Sequence, residues 1–220
     1  MSSDEDSTTE PPKNGRAAAR VEHRLDLINA TVTSIAKYGL SGTTLARVTE
    51  IAGTSVGLAN FHFASKERLL EAVLTHLADE QRAIWQNRNL DASLSTADRL
   101  MTIVDSRFHS RICDRRKLAI WFAFWGDAGA CDIYRKIAEP TDDERLLATE
   151  AILKVMIEEG AYTGIDPIET ALAMEPMYDG LWLNMLLYSS DFKWLDCRVR
   201  ALGFIAAIPP RHDLTTGLQG

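Results

Sequence analysis

The chain has 220 residues, of which 46% are hydrophobic and 25% are charged, so it is long enough to bury a sizeable core. The longest strongly apolar run, LAIWFAFW at residues 118–125, is far shorter than the roughly 20 residues of a membrane-spanning helix. No basic-then-apolar secretion signal opens the chain, and its three widely spaced cysteines give neither a zinc-ligand pattern nor a disulfide framework. We therefore expect a cytoplasmic protein without membrane contact, metal or other cofactor.

The net charge of −7 is divided unevenly along the chain. Residues 1–12 carry −4, residues 13–70 carry +4 from eight Lys and Arg against four Asp and Glu, and residues 71–220 carry −7. A basic N-terminal third joined to an acidic remainder suits a polyanion-binding domain attached to a body that binds something else. A modest excess of basic side chains is equally typical of an ordinary solvated surface.

Apolar residues recur at helical spacing through nearly the whole chain, which predicts an all-α protein of about nine helices. The acidic, proline-containing start of the chain predicts a disordered tail. The first helix is predicted to end at Gly39, and the second to run from an N-cap at Thr44 to Gly53. The third is expected at roughly residues 55–61 and the fourth at roughly 65–87.

Five further helices are predicted near residues 95–112, 115–128, 131–159, 166–188 and 192–206. Pro140 and Pro176 are expected to kink or interrupt two of them. The last two helices are long, apolar and remote from the basic third, so we expect them to form the interface of a homodimer. The apolar residues assigned to this interface are Leu172, Met177, Leu181, Met185, Leu186, Leu202, Phe204 and Ile205.

The second and third helices, joined by the turn Gly53-Thr54-Ser55, form a helix-turn-helix candidate. Ser55 is placed to cap the third helix, whose N-terminus would present free N–H groups to a phosphate or a base edge. The residues expected to hold the unit together are Leu45, Val48, Ile51, Ala52, Leu58 in part, and Phe63. An ordinary helical hairpin with polar surface residues would give the same pattern.

A longer motif resembles a known family. The block GLSGTTLARVTEIAGTSVGLANFHFASKERLLEAVL, residues 39–74, is very similar to the DNA-binding domain of TetR-family repressors. It has their Gly-x-x-x-Thr-Thr segment, their Ile-Ala-x-x-Ala-Gly-like helix, a recognition helix ending in aromatic-His-Phe, and a following Ser-Lys-Glu. The resemblance implies a three-helix DNA-binding domain at residues 20–66, a larger ligand-binding and dimerisation domain at 67–210, and tails at 1–19 and 211–220.

The resemblance also implies which residues contact a palindromic double-stranded DNA operator. These are Thr43 and Thr44 toward phosphate, Ser55, Val56, Gly57, Leu58 and Asn60 in the major groove, Phe61 and His62 along the backbone, and Lys66 as a phosphate clamp. Phe61 stands where the family usually has tyrosine, and Val56 and Ala64 occupy positions that are often basic. A preceding basic arm could compensate by following a minor groove, or could be a solvated lead-in to the first helix. Its basic residues are Lys13, Arg16, Arg20 and Arg24.

The runs KLAIWFAFWGDAGACDIYRKI and MYDGLWLNMLL resemble the regulatory domain of the BetI-type subgroup, the choline-responsive repressors of glycine betaine synthesis. Pro176 is a departure from that subgroup. The resemblance implies a small-molecule inducer, with choline or a related cationic metabolite favoured. The fourth helix is expected to be the only segment that touches both domains, and to tilt when the inducer binds.

The candidate inducer-binding residues are aromatic and acidic side chains that are concentrated in two predicted helices. They are Trp121, Phe124, Trp125, Asp127, Tyr134, Tyr178, Asp179 and Trp182. A quaternary ammonium favours ring faces with a carboxylate nearby. Aromatic residues four apart, such as Trp121 and Trp125, also bury well in a core without any ligand.

No metal-ligand cluster, phosphate-binding glycine loop or nucleophile–base pair is evident, so we do not expect an enzyme. Two rival functions remain open at the level of the sequence. One is a TetR-like regulator of an unrelated pathway with a hydrophobic inducer. The other is a helical metabolite-binding protein without DNA activity.

Overall fold

The computed structural model describes residues 13–188 and 190–207, with side chains from Ala17 onward. This part of the chain is helical and contains no strand, which confirms the all-α prediction. The helices are α1 Lys13–Gly42, α2 Leu45–Ala52, α3 Val56–His62, α4 Lys66–Asn89, α5 Thr96–Arg107, α6 Arg115–Gly126, α7 Ala128–Ile137, α8 Glu139–Glu159, α9 Pro167–Leu187 and α10 Trp194–Ala206. The predicted tail at residues 211–220 and residues 1–12 of the predicted tail at 1–19 lie outside the described residues, as do the side chains of Lys13 and Arg16. Residues 13–19, also assigned to the first tail, form the start of α1.

Local capping residues set the ends of the first helices where the sequence predicts. Gly39 has a φ of 71° and breaks helical geometry near the end of α1, and Gly53 closes α2 with a φ of 64°. Both angles are left-handed, a conformation that glycine adopts without Cβ strain. The hydroxyls of Thr44 and Ser55 accept hydrogen bonds from the N–H groups of Arg47 and Leu58, which caps α2 and α3.

The predicted helix at residues 131–159 is in fact divided. α7 ends at Ile137 and α8 begins at Glu139 with Pro140 in its first turn, where the missing N–H of proline does no harm. Pro176 lies inside α9, which continues to Leu187 without interruption. The described residues therefore form ten helices rather than about nine.

The core of α1, α2 and α3 differs in one position from the prediction. Val48 and Ala59 are buried as members of this core, but 40% of the surface of Ile51 is exposed, so its inward assignment was wrong. Thr49 takes the inward position instead. Its hydroxyl donates to the carbonyl of Ala46 at 3.0 Å, so burying it leaves no donor unpaired.

Helices α1 and α4 connect the N-terminal unit, which consists of α1, α2 and α3, with the effector domain, which consists of α5 through α10. α4 packs against α1 on one side and against α5 and α7 on the other. The prediction that α4 alone touches both halves was wrong, because α1 also packs along α6. Across residues 13–188 and 190–207, no helix is long and apolar enough to cross a membrane.

A buried arginine joins α8 to α9. Only 1% of Arg145 is exposed, and its guanidinium donates to both carboxylate oxygens of Glu175 at 3.2 and 2.7 Å. A third nitrogen lies 2.9 Å from a carboxylate oxygen of Asp142. Burial would raise the pKa of Glu175, but the charges of Arg145 and Arg107 outweigh burial and lower it. Glu175 is therefore held ionised in the interior.

Replacing Arg145 with leucine is expected to lower the free energy of unfolding by about 3–5 kcal/mol, because Glu175 loses its main partner while buried. The matched control is Arg82→Leu, since Arg82 is 39% exposed in its ion pair with Glu144 and such pairs contribute at most about 1 kcal/mol. Urea denaturation of both variants gives the two values. Equal losses would contradict the structural role of the buried pair.

Candidate DNA-binding surface and effector cavity

The exposed face of α3 consists of the residues that the sequence assigns to the major groove. Ser55, Val56, Gly57 and Asn60 are exposed, and Leu58 is half-buried. On the opposite face, Ala59 and the following Phe63 are buried and fix the helix to the N-terminal unit. α3 therefore presents a short polar surface on a rigid support, as a recognition helix requires.

The two threonines before α2 differ in their surroundings. Thr44 is exposed and caps α2. Thr43 is only 1% exposed, and its hydroxyl bonds to the Gly39 carbonyl at 2.8 Å and lies 3.1 Å from the Ser34 hydroxyl. Thr43 therefore joins the end of α1 to the interior and is not placed to meet a phosphate in this conformation.

Lys66 has a structural partner that the sequence does not reveal. Its Nζ donates to the carbonyl of Leu40 at 2.8 Å, and the side chain is half-buried. The last carbonyls of a helix have no partner within the helix, so this bond caps the end of α1 from the start of α4. An ammonium has three donors, and two remain for a phosphate.

His62, at the end of α3, is half-buried beside basic side chains of α1. Burial lowers the pKa of its imidazole below the usual value, and the positive charges of Arg20, His23 and Arg24 lower it further. The surface around the end of the recognition helix is therefore positively charged before any DNA is bound.

In the effector domain, the structure brings together most of the predicted aromatic residues. The ring of Trp121 lies 6.2 Å from Tyr134 and 6.3 Å from Trp182, and Trp125 lies 5.9 Å from Tyr134, measured between centroids. Trp121, Trp182 and Tyr178 are buried. Phe124 is also buried and belongs to the same core.

A cavity of about 170 Å³ opens beside this cluster. Its lining residues are Arg107, Trp125, Tyr134, Asp142, Asp143, Arg145, Leu146, Glu175 and Asp179. Of the predicted set, Trp125, Tyr134 and Asp179 reach the cavity itself. The more deeply buried rings support it from behind, so the predicted residues divide into a wall and a core.

Asp127 is not part of this cavity. Its carboxylate caps α7 by accepting from the N–H of Ala130 at 2.9 Å. It lines a separate, shallow cavity that also includes Leu40 and Lys66, at the junction with the N-terminal unit. The structure therefore places Asp127 at the junction of the two domains.

Arg107 is the cavity residue that sequence reasoning missed. It is 3% exposed, forms an ion pair with Asp179, and its guanidinium carbon lies 3.9 Å from the centre of the Trp182 ring. The indole N–H of Trp182 also donates to the carbonyl of Arg107 at 2.7 Å. The guanidinium of Arg107 therefore already covers a face of the Trp182 ring. No spacing pattern could have indicated this contact between residues 75 apart.

The charges around the cavity are unequal. Four carboxylates, those of Asp142, Asp143, Glu175 and Asp179, face two guanidiniums, those of Arg107 and Arg145. The Tyr134 hydroxyl donates to Asp142. Burial raises the pKa of Asp179 although Arg107 opposes it. With its carboxyls ionised, the cavity carries a net negative charge, which favours a cationic ligand.

The fold and the two sites define a regulator with a helix-turn-helix domain for DNA and a separate helical effector domain. Residues 27–73 match the family described as bacterial regulatory proteins of the tetR family, and residues 96–207 match the C-terminal domain of BetI-type transcriptional repressors. The chain belongs to the TetR family of DNA-binding transcriptional regulators, with an effector domain of the BetI type.

One curated relative agrees with this assignment, and two solved structures share the fold. The chain is 30% identical to the HTH-type transcriptional regulator BetI of Burkholderia thailandensis, over 82% of this chain and 89% of the relative. A transcriptional regulator of Pseudomonas aeruginosa PAO1 has a TM-score of 0.72 and 22% identity, covering 86% of this chain and 90% of its own. A transcriptional regulator from Saccharomonospora viridis, crystallised in complex with choline, has a TM-score of 0.68 and 20% identity. The match covers 86% of this chain and 97% of that protein's chain.

Alanine substitutions of Asn60 and Lys66 are expected to have different effects. Asn60→Ala should relax base preference at one operator position by about 1–3 kcal/mol and leave thermal stability unchanged, because the side chain is exposed. Lys66→Ala should weaken binding to all sequences, reduce the salt slope by about one unit for each protomer and lower the melting temperature, since the Leu40 carbonyl keeps only the N–H of Thr43 as a donor. Salt titrations with operator variants and thermal melts measure these effects. Identical behaviour of the two variants would refute the assigned roles.

Proposed function

We propose that this chain is a transcriptional repressor that leaves its operator when a small cationic metabolite, with choline as first candidate, enters the cavity beside Trp125 and Tyr134. The observation that carries the proposal is a small, aromatic-lined cavity with four carboxylates and two guanidiniums. Two comparisons support it: the BetI-type match of the effector domain and the Saccharomonospora viridis relative with bound choline. Betaine aldehyde or another small cation is the second candidate.

The cation would sit toward Trp125 and Tyr134, because Arg107 already stacks on Trp182. A ring face contributes about 0.5–2 kcal/mol to binding such a cation, more when the site is desolvated. The carboxylates of Asp142 and Asp179 both line the cavity and supply negative charge. A volume of about 170 Å³ suits a small metabolite better than a drug-sized ligand, for which pockets usually exceed 300 Å³.

The inducer would act through α6 and α7. Trp125 lies in α6, which packs on α1, and Tyr134 lies in α7, which packs on α4. An ion pair of 2.8 Å between Lys136 of α7 and Glu71 of α4 strengthens the second contact. A ligand that moves these rings thereby reaches both helices that enter the N-terminal unit. Coupling of this kind typically amounts to 1–3 kcal/mol, a roughly 5–150-fold change in operator affinity.

The repressor would be a homodimer through α9 and α10, which would present two recognition helices to a palindromic operator about 34–36 Å apart or a multiple of it. Exposed apolar side chains support this face: Ile168, Leu172, Leu183 and Leu187 on α9, and Leu195, Val199 and Phe204 on α10. Leu172 and Phe204 were predicted at the interface. Met185, predicted there too, is buried within its own chain.

A hydrophobic inducer is the alternative to a cation, and one observation favours it. A larger cavity of about 380 Å³ is lined almost entirely by apolar side chains of α5, α8 and α10, among them Leu100, Leu153, Met156 and Leu202. It contains none of the charged residues of the smaller cavity. A regulator of an unrelated pathway could bind an apolar ligand there.

The inducer test compares operator release by choline, by its neutral tert-butyl isostere and by a fatty acid. Choline should act at the lowest concentration, because the isostere lacks the charge that the carboxylates attract. Trp125→Ala should weaken the choline response about 2–30-fold, as expected for 0.5–2 kcal/mol. Trp194→Ala, a half-exposed tryptophan on α10, serves as the matched control and should respond as the wild type does.

Two results would contradict the cationic inducer. The first is an isostere as effective as choline, and the second is an unchanged choline response in Trp125→Ala. Release by the fatty acid alone would favour the apolar cavity. Absence of DNA binding by the wild-type protein at low salt would instead support a helical metabolite-binding protein without DNA activity.

The dimer is tested by charge substitution on α9. Leu183→Glu should convert a sedimenting dimer into a monomer at micromolar concentration, because a buried, unpaired carboxylate is costly at an apolar interface. Leu147→Glu is the control, since Leu147 is even more exposed but lies on α8. A wild-type monomer at that concentration, or equal effects of both substitutions, would refute the proposed interface.

A further inference from the structure

The segment of α1 that precedes the core lies against the end of the recognition helix. The guanidinium carbon of Arg20 lies 5.1 Å from the centre of the Phe61 ring, and that of Arg24 lies 5.3 Å from the centre of the Phe63 ring. Arg20 and Arg24 are four residues apart and therefore share one face of α1. Both side chains are exposed. The contact thus joins two exposed cations to the aromatic end of α3.

Phe61 has no role in the core that would explain its ring. It is 63% exposed, whereas Phe63, two residues later, is buried at 4%. Its aromatic neighbour is His62, in an edge-to-face arrangement at 5.3 Å. An exposed phenyl ring on a surface meant for DNA offers no hydrogen-bond donor to a phosphate. It does offer a flat face to the arginine above it.

A guanidinium group that stacks on an aromatic ring can still form hydrogen bonds to another partner. The planar group can place one face on the ring while its N–H donors, which lie in the plane, point outward. A cation–π contact at an exposed site is weak, but it is enough to favour one orientation of a long, flexible side chain. The ring therefore holds the donors of Arg20 at the edge of the recognition helix.

The positive charge of this surface is not neutralised within the described part of the chain. Arg20 and Arg24 form no ion pair with a carboxylate among residues 17–188 and 190–207. Burial lowers the pKa of the neighbouring His62 imidazole, and the charges of Arg20, His23 and Arg24 lower it further. A concentrated positive field beside a recognition helix fits a polyanion.

We propose that Arg20 contacts a phosphate of the DNA backbone and that the ring of Phe61 positions it to do so, which extends the DNA-binding surface from α3 onto the N-terminal part of α1. The inference rests on the DNA-binding function proposed above. Phe61 acts through Arg20 as a positioning residue, and the pair supplies a contact that Phe61 cannot make itself.

The test measures binding to a mixed-sequence duplex of about three helical turns over a range of salt concentrations, with the full-length protein. Arg20→Ala should reduce the slope of log K against log salt by about 0.9 for each protomer on the DNA, and so by about 1.8 for the proposed dimer, because each lost phosphate contact contributes about 0.9. Phe61→Leu should reduce it by a similar amount, and the double variant should lose no more than either single one. Phe61→Tyr keeps the ring and should keep the slope.

Arg88→Ala is the matched control, because it removes the same charge from an exposed site near the far end of α4. Its slope should equal that of the wild type. An unchanged slope in Arg20→Ala would overturn the phosphate contact. Additive losses in the double variant would overturn the positioning by Phe61. Wild-type protein that fails to bind the duplex would refute the DNA-binding function itself, and circular dichroism melts exclude unfolding as the cause of any loss.

Discussion

The effector domain is organised around two arginines held in its interior by carboxylates of a single helix. Arg107 of α5 pairs with Asp179, and Arg145 of α8 pairs with Glu175, one turn earlier on α9. A guanidinium leaves water at a large cost, which is offset only where ion pairs and hydrogen bonds satisfy it. α5, α8 and α9 can therefore pack only in an arrangement that brings these groups together. The cavity is the space that this arrangement leaves beside the aromatic core.

The same helix carries the proposed dimer surface directly beside these carboxylates. Leu172 stands three residues before Glu175, and Leu183 stands four residues after Asp179, so these exposed leucines neighbour the carboxylates along the helix. A change in the cavity thus occurs next to the surface proposed to contact the partner subunit. In a dimer, a shift of α9 would alter the distance between two recognition helices without any deformation of the N-terminal unit.

The features predicted correctly from the sequence are those that depend on neighbouring residues. Gly39 and Gly53 end helices, Thr44 and Ser55 begin them, and Pro140 marks a boundary, because each effect acts within about one helical turn. The exposure of Ser55, Val56, Gly57 and Asn60 at α3 follows from the same local pattern. Burial on a short helix also depends on contacts with distant residues. The sequence pattern therefore placed Ile51 in the core, whereas Thr49 is the residue that is buried there.

The parts of the site that were missed depend on contacts between distant residues. Arg107 stands 72 positions before Asp179, and Lys66 reaches back 26 positions to the carbonyl of Leu40. Neither residue carries a local signal, since a lysine or an arginine at a helix end is usually solvated. The aromatic residues could be identified as a cluster, but their division into cavity wall and supporting core required the packing of α6, α7 and α9.

The position of Arg107 constrains what the cavity can bind. A ligand cation beside Trp125 would share a small space with this fixed cation, and two unit charges roughly 6 Å apart repel by about 3 kcal/mol at an effective dielectric constant of about 20. Only the carboxylates can offset that repulsion. Asp179 is already engaged by Arg107 and Asp142 by Arg145. Asp142 nevertheless remains partly exposed and adjoins Asp143, which forms no ion pair within the described part of the chain. Asp142 in turn receives the hydrogen bond of the Tyr134 hydroxyl. A cation drawn to Asp142 must therefore meet Tyr134, and through it α7, the helix that contacts α4.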